Sequence, residues 1–513
     1  MYTKGVFLIS HQDLPKDWAE RELLRDRGQF WTPDWVAEPM VRYALSGDAD
    51  SLFDPAVGPG TFLLAAQRLE QRGTIQGVNL YGRDVDPDVV RQAFDAGLRP
   101  SASIDLLDFV ESPPPPRSLH AIVANPPYIR HHRIGYERKL MLRAEVEHEH
   151  GIRLDGRVGF HYYFFLAALR SLSPGGRLCF IMSADTAEGI SAKKMWSELV
   201  TEFRLDAVVT FTPEATPFPG VDTNAIIYCI SRRVPQDDFA WIEVSQPTDA
   251  LGDVLEGIGR STFRGDAVRD VHVFRRSLEE AVETGLSRPV FTDDIAARLG
   301  DYVRVMRGIV AGDSDFFLLD DEAVASRSLP QESLTPIVVR TRDVLSEAFS
   351  HEDFEQLGVL GRPRWLFCGE GQKGGDDPVS EYVREGERRG LPNKPILAAR
   401  GKRWYRSERR EVPDFFFAYL GRRRQRFIAN HAKVVPSTAF LCVYIRPEWM
   451  HKTEAITSLL GDESVIANLR FVGKSYGGGA IKVEPRSLEK LPLTRKQLDD
   501  AGLSSSVQQL QIL

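Results

Sequence analysis

Between residues 51 and 230 short apolar runs alternate with Gly-, Pro- or Asp-bearing turns and with amphipathic stretches. Runs too short for helices and bounded by such turns predict buried strands, at 51–54, 78–82, 104–109, 120–124, 177–182, 205–211 and 225–230. Between them, apolar residues three and four apart predict helices. One starts at Thr32-Pro33, with Thr32 as N-cap and a stripe of Val36, Met40, Val41 and Leu45. Others follow Gly60 and Asp86-Pro87, and a strongly apolar one spans 162–172, ended by Ser173-Pro174-Gly175-Gly176. This βα alternation predicts an open α/β sheet. After Arg232-Arg233-Val234-Pro235 the alternation fades into mixed short strands, so the expected division is 1–235 and 236–513. A length of 513 residues requires more than one core.

Composition changes this picture little. A hydrophobic content of 42% and a charged content of 27% are ordinary for a soluble protein. A net charge of −7 means that any nucleic-acid surface must be local. Such a patch stands at 399–433, with eleven Lys/Arg against three Asp/Glu. It includes Arg403, Arg422, Arg423 and Arg424, interleaved with Trp404, Tyr405, Phe415, Phe416, Phe417, Tyr419 and Phe427. The four cysteines form no CxxC and no Cys/His cluster, so neither zinc nor a disulfide framework is expected, and a reducing cytoplasm is. No long apolar run predicts a membrane span.

Candidate chemistry gathers where the predicted strands end, the place where open α/β sheets bind ligands. The 120–124 strand runs into Asn125, Pro126, Pro127 and Tyr128. Two prolines cannot continue a sheet. What the turn offers is a side-chain amide, the Pro126 carbonyl and an aromatic ring. Two oxygen acceptors can take both hydrogens of one amine, and a ring can stack on a planar base. A plain Pro-Pro turn closed by a half-buried tyrosine is the alternative. Asp54, Asp84 and Asp108 end three other strands. Asp86, before Pro87, reads as a helix cap. Asp84 reads as an acceptor for ribose hydroxyls, and Asp108 with Phe109 as a seat for an adenine ring. Gly58 and Gly60 follow Asp54, but neither GxGxxG nor GK[ST] is present, so a phosphate loop is excluded. The polar segment 129–157 reads as a mobile lid, with Arg130 and Arg133 available to phosphates and its histidines solvated rather than metal-bound. Phe218 lies in a loop where it can oppose Tyr128 across a flat ligand.

The ordered set FWTP, DPAVGPGTF, GRDVDP, LLDF, ANPPY and PGG resembles the γ-class adenine-N6 DNA methyltransferases of the TaqI type, over about residues 1–235. The segment 303–319 resembles the opening of that family's target-recognition region. The resemblance implies a doubly wound, mostly parallel seven-stranded domain that binds S-adenosylmethionine, followed by a mixed α+β recognition domain. It implies that Thr32 meets the methionine carboxylate, and that Asp54, Pro55, Ala56 and Gly58 line the methionine. Asp84 holds the ribose, and Asp108, Phe109 and Phe164 hold the cofactor adenine. Asn125 and the Pro126 carbonyl, in the turn completed by Pro127, take the target amine, while Tyr128 and Phe218 sandwich the target base. Double-stranded DNA is the implied substrate, a separately encoded restriction endonuclease the implied partner, and no metal is required. The alternatives are an rRNA or tRNA methyltransferase, or a DNA-binding protein on an inactive methyltransferase fold.

Overall fold

The computed structural model describes residues 31–221, 224–289, 291, 293–371, 375–418, 425–476 and 480–503. Its first half runs α1 (Asp34–Ala44), β1 (Ser51–Asp54), α2 (Thr61–Gln71), β2 (Asn79–Asp84), α3 (Pro87–Asp95), β3 (Ser103–Leu106), β4 (Leu119–Ala124), α4 (Tyr136–His150), α5 (Phe160–Ser171) and β5 (Leu172–Ser183). It continues with α6 (Ile190–Glu202), β6 (Arg204–Phe211), β7 (Ala225–Ser231), β8 (Asp238–Val244), α7 (Ala250–Gly259), β9 (Ala267–Val268), β10 (Val271–Ser277) and α8 (Leu278–Thr284). One sheet holds the strands in the order β3-β2-β1-β4-β5-β7-β6-β8-β10-β9. Neighbours from β3 to β5 pair in parallel, and β7 runs antiparallel between β5 and β6.

The seven expected strands are therefore present in a doubly wound arrangement, and three more extend the sheet beyond β6. This extension moves the expected border. The compact units divide between residues 290 and 291, not at 235, because Phe239, Trp241 and Ile242 of β8 are buried in the same layers as the earlier strands. The Arg232–Pro235 stretch is a turn between two strands of one sheet rather than a linker.

Period-two burial explains why the central strand is apolar throughout. On β4, Ala121 and Val123 join the core under α1, α2 and α7, while Ile122 and Ala124 join the core under α4, α5 and α6. The first layer buries Val36, Met40 and Val41, and the second Phe165, Leu166 and Trp196. Helix α5 passes directly into β5, and the Pro174-Gly175-Gly176 stretch is taken up where the β4–β5 register shifts.

Sequence expectation and structure differ at two further points. Pro33, not Thr32, is the N-cap residue of α1, and its carbonyl accepts from Val36 and Ala37 N–H at 2.9 Å each. The segment read as a mobile lid contains α4, a helix of 15 residues held by Leu142 and Val146. Its His148 and His150 are thus fixed on a helix, and His150 Nε2 lies 3.1 Å from the Leu166 carbonyl.

The second unit is a mixed α+β structure. A five-stranded sheet has the order 303–307, 440–445, 415–418, 426–430, 348–349, and a four-stranded one the order 318–319, 365–367, 334–338, 435–436. Among the described residues no helix is long and apolar enough to cross a membrane.

Candidate functional site

Strand order reverses direction between β1 and β4, which leaves a crevice at their carboxyl ends. A cavity of about 460 Å³ lies there, within the usual range of small-molecule pockets. Its wall includes Thr32, Pro55, Ala56, Gly58, Asp84, Asp108, Phe109, Phe164, Asn125 and Pro127. Residues separated by more than 130 positions in the chain thus share one wall. Asp54 lies behind it, fully buried at the end of β1.

The turn after β1 is built on Asp54 and Asp84. Asp54 Oδ1 accepts the Ala56 N–H at 3.0 Å, and Asp84 Oδ2 accepts the Gly58 N–H at 2.8 Å. Gly58 has φ +53°, a conformation that L side chains rarely adopt. The turn also lies hard against β2, since a Cβ on Gly82 would stand 2.3 Å from Val57 Cγ2. Asp84 Oδ1 accepts the Asp86 N–H at 3.0 Å, and Asp86 caps α3 through the Asp88 N–H at 2.9 Å. Asp86 is thus the helix cap expected from the sequence, while Asp84 has a structural task at the turn after β1. A carboxylate offers about four lone-pair sites. Backbone N–H groups of Gly58, Asp86 and Val85 take three of them, which leaves one acceptor site for a ligand hydroxyl.

Burial, opposed by the Ala56 N–H and helped by the nearby Asp84 charge, pushes the Asp54 carboxyl up to about 8. Its Oδ2 has no hydrogen-bond partner among the described residues. Burial likewise raises Asp84 above the ordinary carboxylate range. For Asp54 the folded state holds its proton more tightly than the unfolded chain, whose carboxyl titrates near 3.9. Stability contributed by the neutral form is full below about pH 4 and falls as pH rises through about 8. In urea denaturation of the cofactor-free chain, Asp54→Asn is expected to gain on the wild type steadily from pH 5 to about pH 8 and to level off above it. Parallel pH profiles would contradict this assignment.

Asn125 stands at the β4 tip, and its Nδ2 donates to Thr32 Oγ1 at 3.2 Å. Thr32, relieved of capping, is 5% exposed and keeps its hydroxyl hydrogen for another acceptor. Tyr128 is half-buried, and its hydroxyl donates to the Ile181 carbonyl on β5 at 2.9 Å. Its ring centroid lies 5.5 Å from that of buried His161. Burial raises the phenol well above its usual value. At the far end, Phe109 and Phe164 have centroids 5.3 Å apart, and Phe160 joins them at 5.4 Å from Phe164.

Other expected residues lie elsewhere. Pro126 is buried within the turn, and Phe218 packs half-buried on the apolar layer of α1 and α7. Arg130 and Arg133 are exposed around the short turn His131–Arg133, and Arg403 is exposed in the second unit. Arg422, Arg423 and Arg424 lie outside the described residues, as does Tyr419. The aromatic part of the basic patch is corrected: Phe415, Phe416, Phe417 and Phe427 are buried because 415–418 and 426–430 are inner strands, and Trp404 is buried against Phe316, with ring centroids 5.3 Å apart. Arg400 and Arg426 donate to backbone carbonyls of Val310 and Val344, so they serve the fold. Among the described residues no cluster of His, Cys, Asp and Glu is placed to hold a metal ion. Arg138, a cavity-wall residue carried on α4, belongs to no local pattern that singles it out in the sequence.

Comparison with known proteins adds to this geometry. Residues 16–251 match the family described as N-6 DNA Methylase. Residues 279–511 match the C-terminal domain of the type II methyltransferase M.Eco57I. The type II methyltransferase M.AccI of Acinetobacter calcoaceticus is 22% identical over 512 residues, covering 97% of this chain and 92% of its own. M.XamI of Xanthomonas campestris pv. amaranthicola is 24% identical over 477 residues, covering 90% and 84%. Among solved structures, the type IIL restriction-modification enzyme MmeI in complex with DNA is similar in fold, with TM-score 0.51 and 13% identity over 96% of this chain and 68% of that one.

Proposed function

We propose, from the match of residues 16–251 to the N-6 DNA methylase family and of residues 279–511 to a type II methyltransferase C-terminal domain, that the chain methylates N6 of a flipped-out adenine at a specific sequence in double-stranded DNA, with S-adenosylmethionine as methyl donor. The observation that carries the reading is the position of Asn125. It lies on the wall of the acidic cavity and at the head of a Pro-Pro-Tyr turn. It is the modification component of a restriction-modification system, working in the cytoplasm beside a separately encoded endonuclease.

The cavity fits the donor by its chemistry. Asp84 keeps an acceptor site for a ribose hydroxyl, the Thr32 hydroxyl hydrogen suits a carboxylate, and the phenylalanine wall suits a purine. When bound, S-adenosylmethionine supplies a methyl group already activated on a sulfonium. The remaining work is orientation and electrostatics. Asn125 Oδ1 and the Pro126 carbonyl accept the two N–H groups of the adenine amine. This favours a pyramidal nitrogen whose lone pair points toward the cavity. Flipping the base out of the duplex costs a few kcal/mol, on the order of what stacking on Tyr128 returns. Arg130, Arg133, Arg403 and Arg422–Arg424 supply phosphate contacts, and the second unit reads the sequence.

Tyr128 provides the test of base capture. Tyr128→Ala is expected to weaken capture by roughly 1–3 kcal/mol of lost stacking. Tyr128→Phe keeps the ring but leaves the Ile181 carbonyl without its donor, a loss of about 1 kcal/mol. The measurement is the fluorescence of 2-aminopurine at the target adenine. It should brighten with wild type and Tyr128→Phe and much less with Tyr128→Ala. Equal brightening by all three would remove Tyr128 from the base site.

A further inference from the structure

Arg138 is the one basic side chain on the cavity wall among the described residues. It lies in the first turn of α4, a helix whose sequence shows little sign of packing. Its guanidinium donates to Asp108 Oδ2, stands 3.1 Å from Glu111 Oε1, and has its Cζ 4.8 Å from the centroid of the Phe160 ring. Its Nε is buried without a hydrogen-bond partner among the described residues. The side chain is therefore held from three sides at the aromatic end of the cavity.

The consequence lies in what is left of Asp108. Oδ1 accepts the Val110 N–H at 2.9 Å and the Glu111 N–H at 3.3 Å, which fills both of its lone-pair sites. Arg138 takes one of the two on Oδ2. One acceptor site remains, beside the wall of Phe109, Phe160 and Phe164. A single vacant acceptor beside a flat apolar wall suits a planar heterocycle bearing one exocyclic amine. It disfavours a 6-oxo group, which would set one acceptor against another.

We propose that Arg138 is a positioning residue for the cofactor's adenine: it fixes the Asp108 carboxylate so that the last lone pair of Oδ2 meets the 6-amino group, and so sets the preference of the site for 6-amino over 6-oxo purines. The inference rests on the cofactor reading above and deepens it. Asp108 makes the contact, and Arg138 decides its direction. Charge alone does not do this, because a planar guanidinium both pairs with the carboxylate and stacks on Phe160, which an ammonium cannot.

The test uses the full chain and two probes, S-adenosylhomocysteine and its 6-oxo counterpart S-inosylhomocysteine, titrated by calorimetry. Wild type is expected to prefer the adenosyl compound by about tenfold or more, the scale of one charge-assisted hydrogen bond. Arg138→Met is expected to weaken the adenosyl compound about tenfold and the inosyl compound far less, so that the ratio moves toward one. Arg138→Lys should recover part of the preference. Equal weakening of both compounds in Arg138→Met, or no change in either, would overturn the inference and leave Arg138 a purely structural residue. Failure of the wild type to bind either compound would overturn the cofactor reading itself.

Discussion

Asn125→Ala is expected to lower the rate of methyl transfer about 10²- to 10³-fold while DNA and cofactor affinities stay close to wild type. The side chain is half-buried at the end of β4, with its amide nitrogen on Thr32. Replacement removes one of the two acceptors proposed for the target amine and leaves Asp84, Asp108 and the phenylalanine wall in place. The remaining acceptor, a backbone carbonyl, cannot alone turn the nitrogen lone pair out of the ring. Single-turnover rates at saturating cofactor, set beside calorimetric affinities, separate this from a binding defect. The 2-aminopurine signal should persist in this variant, since Tyr128 still receives the base. A wild-type rate in Asn125→Ala would make the turn structural.

The second large effect is at Asp84. Asp84→Ala removes the acceptor proposed for the ribose, and hydrogen bonds to a charged group contribute about 1.5–3 kcal/mol. Cofactor affinity should therefore fall by about tenfold to a hundredfold. The structure adds a stability loss, because the Gly58 and Asp86 N–H groups lose their partner together. Asp86→Ala gives the contrast. It removes the α3 cap and is expected to lower stability by about 1 kcal/mol with little effect on affinity. Calorimetry and urea denaturation on both variants check the pattern, and the reverse pattern would exchange the roles of the two acids.

Much of the cavity was legible in the sequence because its residues carry local constraints. Glycine at positive φ, proline after an acid and two prolines after a β-branched run each leave the chain few conformations, so the tips at Asp54, Asp84 and Asn125 could be placed without tertiary information. Arg138 obeys no such constraint. It reaches Asp108 from 30 positions away on a helix that buries only Leu142 and Val146. The lid was misread for the same reason, since so thin a stripe is hard to tell from a polar loop. The aromatics at 404–427 failed differently. A row such as Phe415-Phe416-Phe417 looks the same whether it stacks bases or fills an inner strand, and neighbouring strands decide the matter. The border at 235 failed because a charged, proline-bearing turn inside a sheet has the composition of a linker.

The central claim is that this chain methylates adenine N6 in DNA. It is tested most directly by incubating the purified protein with methyl-labelled S-adenosylmethionine and either duplex DNA or structured RNA, then digesting to nucleosides and identifying the labelled product by mass spectrometry. Label is expected in the DNA, in N6-methyladenosine's deoxy form alone, and is expected to be lost in Asn125→Ala. Label in RNA, label on cytosine, or an unlabelled DNA pool containing all short duplex sites would contradict it.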